Sequence, residues 1–279
     1  MSKKRWCPTV IKEVVRHDIQ SSTNPVVVET DEGLGYFKAL GNKEGPQVLA
    51  CEFVGTSLAG LLGIPTFEFC IIPFNGIPEI QLADGRLAKP GHGFITKEEP
   101  GEVWDGSKKM LKKIGNVQDI TRLVCVDTLT RNQDRYFLRD DGTIRQHFDN
   151  VFLSFESKRG LTLKAFDFTH AFTNGGDVNT KIVRDVNDAR PYGLFQEFKD
   201  FLDEETAIQA CDKLKAIKDK HIRPIIDQIP REWEIDSATR GAWGEFIVSR
   251  AAFLSKNFIT IIGLQPISPQ RTLPFEEEE

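Results

Sequence analysis

Residues 131–153 read RNQDRYFLRDDGTIRQHFDNVFL, and the organisation of this stretch decides the fold around it. It begins with the polar segment NQDR at 132–135 and ends with Asp149-Asn150, which lead into the apolar residues VFL at 151–153. Between them, an Asp-Gly turn separates two β-prone arms, a pattern that predicts a hairpin over 136–148. A hairpin returns the chain to its starting point, so Asp134 and Asn150 are expected to be neighbours in space.

The bulk composition is that of a folded, mildly acidic protein. The chain has 279 residues, 40% of them hydrophobic, which is enough for one large domain or for two lobes that share a cleft. The formal net charge of −5 does not favour direct nucleic-acid binding or attraction to an anionic membrane. A basic cluster, KKMLKK at 108–113, has helical spacing and is explained by a solvated helix face or by a phosphate-binding patch.

The cysteine pattern and the lengths of the apolar runs indicate which cellular compartment to expect. Five cysteines are scattered along the chain without a CxxC motif, and no signal peptide leads the sequence. A reducing, cytoplasmic environment is therefore expected. No apolar run approaches the roughly 20 residues that a membrane span needs, so none is predicted.

The periodicity of the chain predicts two lobes of an α+β protein. Residues 1–98 are strand-rich, with a hairpin over 26–40, strands near 9–16, 65–73 and 93–96, and one prominent helix over 48–62 that stops at Gly63. Residues 99–279 are mostly helical, with helical patterns over 107–131, 193–228 and 238–258 and a β-rich patch over 136–168. A cleft between two such lobes is a common place for a ligand.

Three polar side chains next to apolar segments are candidates for chemistry. Asp134 follows a buried helix, and NQDR is either a surface loop with a local Asp-Arg pair or part of a cleft. Asn150 starts one predicted strand, and Asp167, in AFDF, lies near the end of the next. In an antiparallel hairpin these two positions are close, and their oxygens suit Mg²⁺. The alternative for Asp167 is a structural salt bridge.

A lysine and a glutamate in the small lobe form a second candidate pair. Lys38 is on a predicted strand, where it either faces solvent or clamps phosphate oxygens from the wall of a cleft. Glu52 is the only acidic residue within the apolar helix, and it could orient the lysine. The order strand Lys, helix Glu, Asp, Asn and Asp is the order of parts in protein-kinase-type phosphotransfer sites.

The chain resembles the HipA-like kinases, which are distantly similar to phosphatidylinositol 3/4-kinases and protein kinases. The matching stretches are SSTNPVVV with GYFKAL, EGPQVLACEFVGTSLAGLLGIP, RNQDR, DNVFL and AFDFTHAF, which together cover about residues 20–172. The resemblance implies a bilobal kinase fold that uses ATP and Mg²⁺. It departs from the protein-kinase pattern at 20–25, which lacks G-x-G-x-x-G, and in the spacing of Asp134 and Asn150, which are sixteen positions apart where five is usual.

The resemblance also implies a role for each matching residue. Asp134 would be the catalytic aspartate, with Arg135 steadying the catalytic loop or the leaving phosphate. Asn150 and Asp167 would be the Mg²⁺ ligands. The residues implied in ATP binding are Lys38 with its partner Glu52, the phosphate loop Ser21, Ser22 and Thr23, and Phe94, Ile95 and Thr96 near the adenine.

The acceptor is left open by the sequence. HipA-like members are often Ser/Thr protein kinases, and some are toxins that autophosphorylate. A protein substrate is therefore expected, an antitoxin or regulatory protein is a candidate partner, and Ser21, Ser22 and Thr23 are candidate autophosphorylation sites. A lipid or small-molecule kinase with the same core and an ATP-binding pseudokinase-like module are the alternatives.

Overall fold

The computed structural model describes residues 6–16, 23, 25–82, 84–139, 141–155, 160–174 and 176–264. Within these residues the chain forms ten strands and six α-helices. The strands are β1 Ile11–Arg16, β2 Val26–Thr30, β3 Gly33–Leu40, β4 Phe69–Phe74, β5 Lys89–Lys97, β6 Gly101–Val103, β7 Tyr136–Leu138, β8 Ile144–Gln146, β9 Phe152–Ser154 and β10 Thr162–Lys164. The helices are α1 Gln47–Leu62, α2 Lys108–Leu111, α3 Asp119–Thr130, α4 Glu204–Ala216, α5 Asp219–Ile226 and α6 Ser237–Ile261.

The small lobe is an antiparallel sheet covered by one helix. Its strands run in the order β1-β2-β3-β5-β4, which includes the hairpin predicted over 26–40. Alternate side chains point to opposite faces, so Phe37 and Ile95 enter the core on one face while Phe94 packs on the α1 side. Lys38 pairs with Phe94 across the two strands and therefore also faces α1.

Helix α1 is apolar over most of its surface, and most of its residues are buried. It ends at Gly63, whose φ of 77° allows the left-handed C-cap, as the sequence predicts. Its core residues pack together with those of α3, α4 and α6 in one continuous cluster. Glu52 therefore lies inside the molecule, at the junction of the small sheet with the helices that follow.

Three elements differ from their sequence-based predictions. The helical pattern over 107–131 is divided into α2 and α3, because Asn116 between them bonds with both backbone groups of Leu163 and ties the break to β10. The predicted strand 65–73 is instead Phe69–Phe74, preceded by an isolated bridge from Thr66 to Ala165. The long pattern over 193–228 resolves into a 3-10 segment, α4 and α5.

The β-rich patch consists of two hairpins, as predicted. In the first, β7 pairs with β8, with Tyr136 opposite Gln146. In the second, β9 pairs with β10, with Phe152 opposite Lys164. A 3-10 turn over Phe148–Asn150 joins them, so Asn150 lies two residues before the start of β9.

The result is a two-lobed α+β protein in which the second hairpin and α1 meet at the lobe junction. A lobe boundary at residues 98–99 stays a prediction. None of the helices in the described part of the chain combines the length and the apolar character required to cross a bilayer.

Candidate active site

A cavity of about 410 Å³ lies where the small sheet, α1 and the β9–β10 hairpin meet. Its polar lining is made of Lys38, Glu52, Thr56, Thr96, Asp149, Asn150 and Asp167, and its apolar and aromatic lining includes Tyr36, Phe67, Phe94, Val103 and Phe152. Aromatic walls with a few convergent polar groups are typical of a small-molecule or cofactor site. A larger cavity of about 1100 Å³, formed by His92 with residues 227–240, contains none of the candidate residues.

Lys38 is held by two carboxylates at the cavity wall. Its ammonium forms an ion pair with Glu52, as expected, and lies 3.5 Å from Asp167 Oδ1. It also reaches Thr169 Oγ1 at 3.4 Å. Burial alone would lower the pKa of Lys38, but Asp167 and Glu52 outweigh it and raise that pKa, so the lysine stays charged.

Glu52 connects α1 to the segment that follows β10. Its Oε2 accepts a hydrogen bond from the Phe168 backbone N–H at 3.1 Å, and its Oε1 accepts one from the Thr169 hydroxyl at 2.6 Å. Burial raises the pKa of this carboxyl, while the charge of Lys38 opposes the shift. The glutamate thus fixes the lysine and the 167–169 backbone in one network.

Asp167 adopts an uncommon backbone conformation. Its φ is 59°, which is the left-handed region that non-glycine residues rarely adopt, and such positions cluster at functional sites. The Thr169 hydroxyl lies 2.8 Å from Asp167 Oδ1. Burial would raise the pKa of Asp167, but the charge of Lys38 and the hydrogen bonds outweigh it and hold that pKa well below its usual range. The carboxylate is therefore ionised at neutral pH.

Asp134 lies beside the cavity rather than in its wall. Its Oδ2 accepts a hydrogen bond from Asn150 Nδ2 at 3.0 Å, so the hairpin does bring these two residues together. Its Oδ1 forms an ion pair with Arg145 of β8. The imidazoles of His147 and His170 lie 3.8 and 4.0 Å from the carboxylate.

The residues proposed for Mg²⁺ are positioned by one hairpin. Asn150 precedes β9 and Asp167 follows β10, so both emerge from the same end of the pair and both line the cavity. Because Asn150 donates through Nδ2 to Asp134, its Oδ1 is oriented away from that contact. Within the described ranges no group of three His, Cys, Asp or Glu side chains could hold a metal. One carboxylate and one amide fit Mg²⁺, which takes its remaining ligands from phosphate and water.

A buried network behind Asp134 was not predicted from the sequence. Arg135 forms an ion pair with Asp127 of α3 at 2.6 Å, and both side chains are fully buried. Arg135 also donates to the Phe166 carbonyl at 2.6 Å. Asn132 donates to Asp127 Oδ1 and to the Asp167 carbonyl, at 3.1 Å each. Burial raises the pKa of Asp127, and the charge of Arg135 opposes that shift.

This network bears on the two roles expected for Arg135. Its side chain is fully buried and ties the loop of Asp134 to α3 and to the segment between β10 and Asp167, which is the arrangement expected of a residue that steadies the loop. The signal for its partner was Asp127, a carboxylate inside the apolar helix VCVDTL, which requires a buried cation or donor.

The expected ATP-binding residues fall into three groups. Phe94 and Thr96 line the cavity, whereas Ile95 lies in the core on the opposite face of β5, because successive side chains alternate. Ser21 and Ser22 lie outside the described residues. Thr23 is buried. Thr169 was missed, although it lies only two residues after Asp167.

Two solved structures show the kinds of protein whose fold this chain shares or approaches. The fold is similar to that of a Helicobacter pylori proinflammatory kinase, CtkA, with a TM-score of 0.54, 15% identity, and coverage of 91% of this chain and 96% of that one. A Golgi casein kinase matches with a TM-score of 0.49 and 11% identity over 90% of this chain and 74% of its own. No curated protein shows significant sequence similarity.

At 15% identity the likeness to CtkA establishes the fold, a two-lobed kinase fold of the α+β class. The family itself is established by sequence. The model of the HipA-like kinases matches residues 11–253, which is most of the chain. The chain therefore belongs to the HipA-like kinase family.

Proposed function

We propose that this kinase transfers the γ-phosphoryl group of ATP, in the presence of Mg²⁺, to the hydroxyl of a serine or threonine in a protein. The observation that carries the proposal is the convergence of Lys38, Asn150 and Asp167 on one cavity, with Asp134 hydrogen-bonded to Asn150 at its edge. The nucleotide would occupy the cavity, and the acceptor would approach from the side of Asp134.

Each side chain has a role that follows from its position. Lys38, kept charged by Glu52 and Asp167, binds phosphate oxygens as a point charge. Asp167 and Asn150 would hold Mg²⁺, which neutralises charge on the phosphates when it is bound. Phe94 and Thr96 contact the base from β5, and the backbone near Val103 completes that wall. Glu52 positions Lys38 and does not touch the nucleotide.

Asp134 orients the acceptor hydroxyl and accepts its proton. The bond between the γ-phosphorus and the β,γ-bridging oxygen breaks, the acceptor oxygen bonds to that phosphorus, and ADP leaves with the electron pair of the broken bond. Catalysis of this kind consists mainly of positioning and charge stabilisation. The buried Asp127–Arg135 pair and Asn132 keep the loop in place for it.

The assignment of a protein acceptor rests on the family resemblance and on the hairpin beside Asp134. A lipid or small-molecule acceptor is the alternative, as is a module that binds ATP without turnover. Autophosphorylation at Ser21, Ser22 or Thr23 and an antitoxin-like partner stay predictions. Phosphate on that loop would add negative charge close to the ATP phosphates and would inhibit the enzyme.

The test is transfer of radiolabelled γ-phosphate from ATP to cell-extract proteins, to generic Ser/Thr peptides and to the chain itself, with Mg²⁺ or with a chelator. We expect labelling that requires Mg²⁺ and that is lost in Asp134→Ala. Intact mass of the chain, with Ser21 and Ser22 replaced by alanine in a second sample, locates self-labelling. Nucleotide binding without labelling of any acceptor would exclude the kinase proposal and favour the binding module.

A further inference from the structure

The cations around Asp134 belong to a different part of the molecule from those that face the nucleotide. Lys38 lines the cavity between the small sheet, α1 and the β9–β10 hairpin, whereas Arg145, His147 and His170 surround Asp134, and neither they nor Asp134 line that cavity. Asp134 Oδ1 is therefore directed towards Arg145 on the outside of the cavity, which is the side from which an acceptor would approach.

Arg145 is held in position by the hairpin that separates Asp134 from Asn150. It lies on β8 opposite Phe137, whose ring stacks on Tyr192 at 4.9 Å, and the Gly193 backbone N–H donates to the Tyr136 carbonyl at 2.9 Å. These contacts anchor the base of the hairpin to residues 188–195. The Arg145 side chain is 32% exposed, so an incoming group can reach it without unfolding the hairpin.

Arg145 places a permanent positive charge next to Asp134 on this side, and the imidazoles of His147 and His170 lie within 4.0 Å of the same carboxylate. The opposing carboxylate is Asp149, which is largely exposed and lies 4.0 Å from His147 Nδ1. When the acceptor hydroxyl takes the position next to Asp134 Oδ1, the guanidinium must exchange part of its contact with Asp134 for another anion.

We propose that Arg145 determines acceptor specificity: it binds an anionic group next to the acceptor hydroxyl, so the preferred substrate is a peptide with an acidic or phosphorylated residue beside its serine or threonine. A planar guanidinium binds carboxylate and phosphate through paired hydrogen bonds, which is the chemistry this position offers. The inference rests on the proposed phosphotransfer at Asp134 and identifies the class of substrate for that site.

The experiment compares four peptides that share one serine and differ at the neighbouring position, which is glutamate, phosphoserine, glutamine or lysine. For the wild-type enzyme we expect kcat/KM to be about tenfold higher for glutamate than for lysine, as a charge-assisted contact predicts. A higher kcat/KM for the phosphoserine peptide than for the glutamate peptide would indicate that the Arg145 site prefers a phosphate group. Without that increase, the preferred group is a carboxylate. Arg145→Gln should remove the preference, and Arg145→Glu should reverse it towards lysine.

The matched control is Arg139→Gln, which removes the same charge from an exposed site on the same hairpin and should keep the preference. Arg145→Lys should retain part of the preference for the acidic peptide that Arg145→Gln loses, which a purely structural role of Arg145 would not predict. An acidic preference that survives Arg145→Gln, or one that Arg139→Gln abolishes equally, overturns the inference while transfer itself still supports the kinase.

Peptide binding by calorimetry, with a non-hydrolysable ATP analogue present, separates the two proposals. If no peptide is phosphorylated but the glutamate peptide binds more tightly than the lysine peptide, and only in the presence of Arg145, the phosphotransfer proposal fails and the anion-binding site stands. If neither transfer nor binding depends on the neighbouring charge, the site is refuted.

Discussion

Two arginine–aspartate pairs meet at the loop that carries Asp134, in opposite environments. Arg135 and Asp127 form a pair with no exposed surface, whereas in the Arg145–Asp134 pair the arginine is 32% and the aspartate 11% exposed. The buried pair has no access to a ligand and holds the loop. In the second pair Asp134 is buried but Arg145 is partly exposed, so the arginine can exchange partners at a lower cost than a fully buried charge. Burial thus distinguishes the pair that holds the loop from the pair that is proposed to meet the acceptor.

The largest expected effect is on activity and comes from the cavity side of the loop. Asp167→Asn removes the one carboxylate proposed for Mg²⁺, and metal neutralisation contributes several kcal/mol to the transition state. We expect transfer of labelled phosphate to fall by about three orders of magnitude. Asp84→Asn, at an exposed position before β5, is the control. Undiminished turnover in Asp167→Asn would show that Asp167 is not needed for phosphotransfer.

The buried pair should show the largest effect on stability. Asp127→Ala leaves the Arg135 guanidinium buried without its anion, which costs about 3–5 kcal/mol. Urea denaturation measures the free energy of unfolding. The double variant Asp127→Leu/Arg135→Met replaces both charges with apolar groups and should recover part of the loss. A single variant that unfolds like the wild type would show that water reaches this pair.

A close contact under Asp167 should give an intermediate effect. A Cβ added at Gly55 of α1 would lie 2.4 Å from Phe168 Cγ, so Gly55→Ala must displace the ring next to Asp167. Overpacking of this kind costs about 1–3 kcal/mol. We expect a lower melting temperature and weaker binding of ATP with Mg²⁺.

Gly60 of the same helix is the matched control for that variant. It is exposed, and a Cβ there would meet no atom within 4 Å among the described residues. Gly60→Ala should therefore stabilise the protein by about 0.5–1 kcal/mol, because alanine loses less backbone entropy in a helix. Equal effects of the two substitutions would contradict the packing argument.

Stability should depend on pH through the carboxylate at the base of the hairpin. Burial would raise the pKa of Asp188, but hydrogen bonds from Arg190 and Tyr192 outweigh it and hold that pKa well below its usual range. The unfolded chain therefore binds the proton more readily than the folded one, and stability rises with pH across that interval.

The measurement is the difference in unfolding free energy between the wild type and Asp188→Asn as a function of pH. The advantage of the wild type should be complete above about pH 4, the ordinary range of an aspartate, and should shrink as the pH falls below it. A difference that stays constant down to pH 2 would contradict the assignment.

The smallest expected effect is that of the exposed pair on stability. Arg145→Gln should change the free energy of unfolding by less than about 1 kcal/mol, since partly exposed ion pairs contribute little. Urea denaturation at low and high salt provides the measurement. If Arg145→Gln lowered the free energy of unfolding as much as Asp127→Ala does, Arg145 would be part of the structural scaffold. The two pairs would then not differ in the way proposed.

Much of the site was predictable because its residues stand out against apolar surroundings. Lys38 on a β-strand, Glu52 in an apolar helix and Asp167 between two phenylalanines each require a partner when buried, and their order along the chain indicated which partners. The hairpin over 136–148 was predictable from its Asp-Gly turn. The division of 107–131 into two helices was not, because it depends on Asn116 bonding to Leu163, which is distant in sequence.

The sequence by itself determined the family and the two-lobed α+β class, and it singled out polar residues that line the cavity, since periodicity and isolated polar residues are local properties of the chain. Only the tertiary structure showed that Arg135 is fully buried against Asp127 while its neighbour Asp134 is hydrogen-bonded to Asn150 of the cavity wall. It also showed that Ile95 faces away from the cavity and that Arg145 contacts Asp134. These outcomes depend on burial and on contacts between distant segments, which set the cost of an unpaired charge and are not encoded in any short motif.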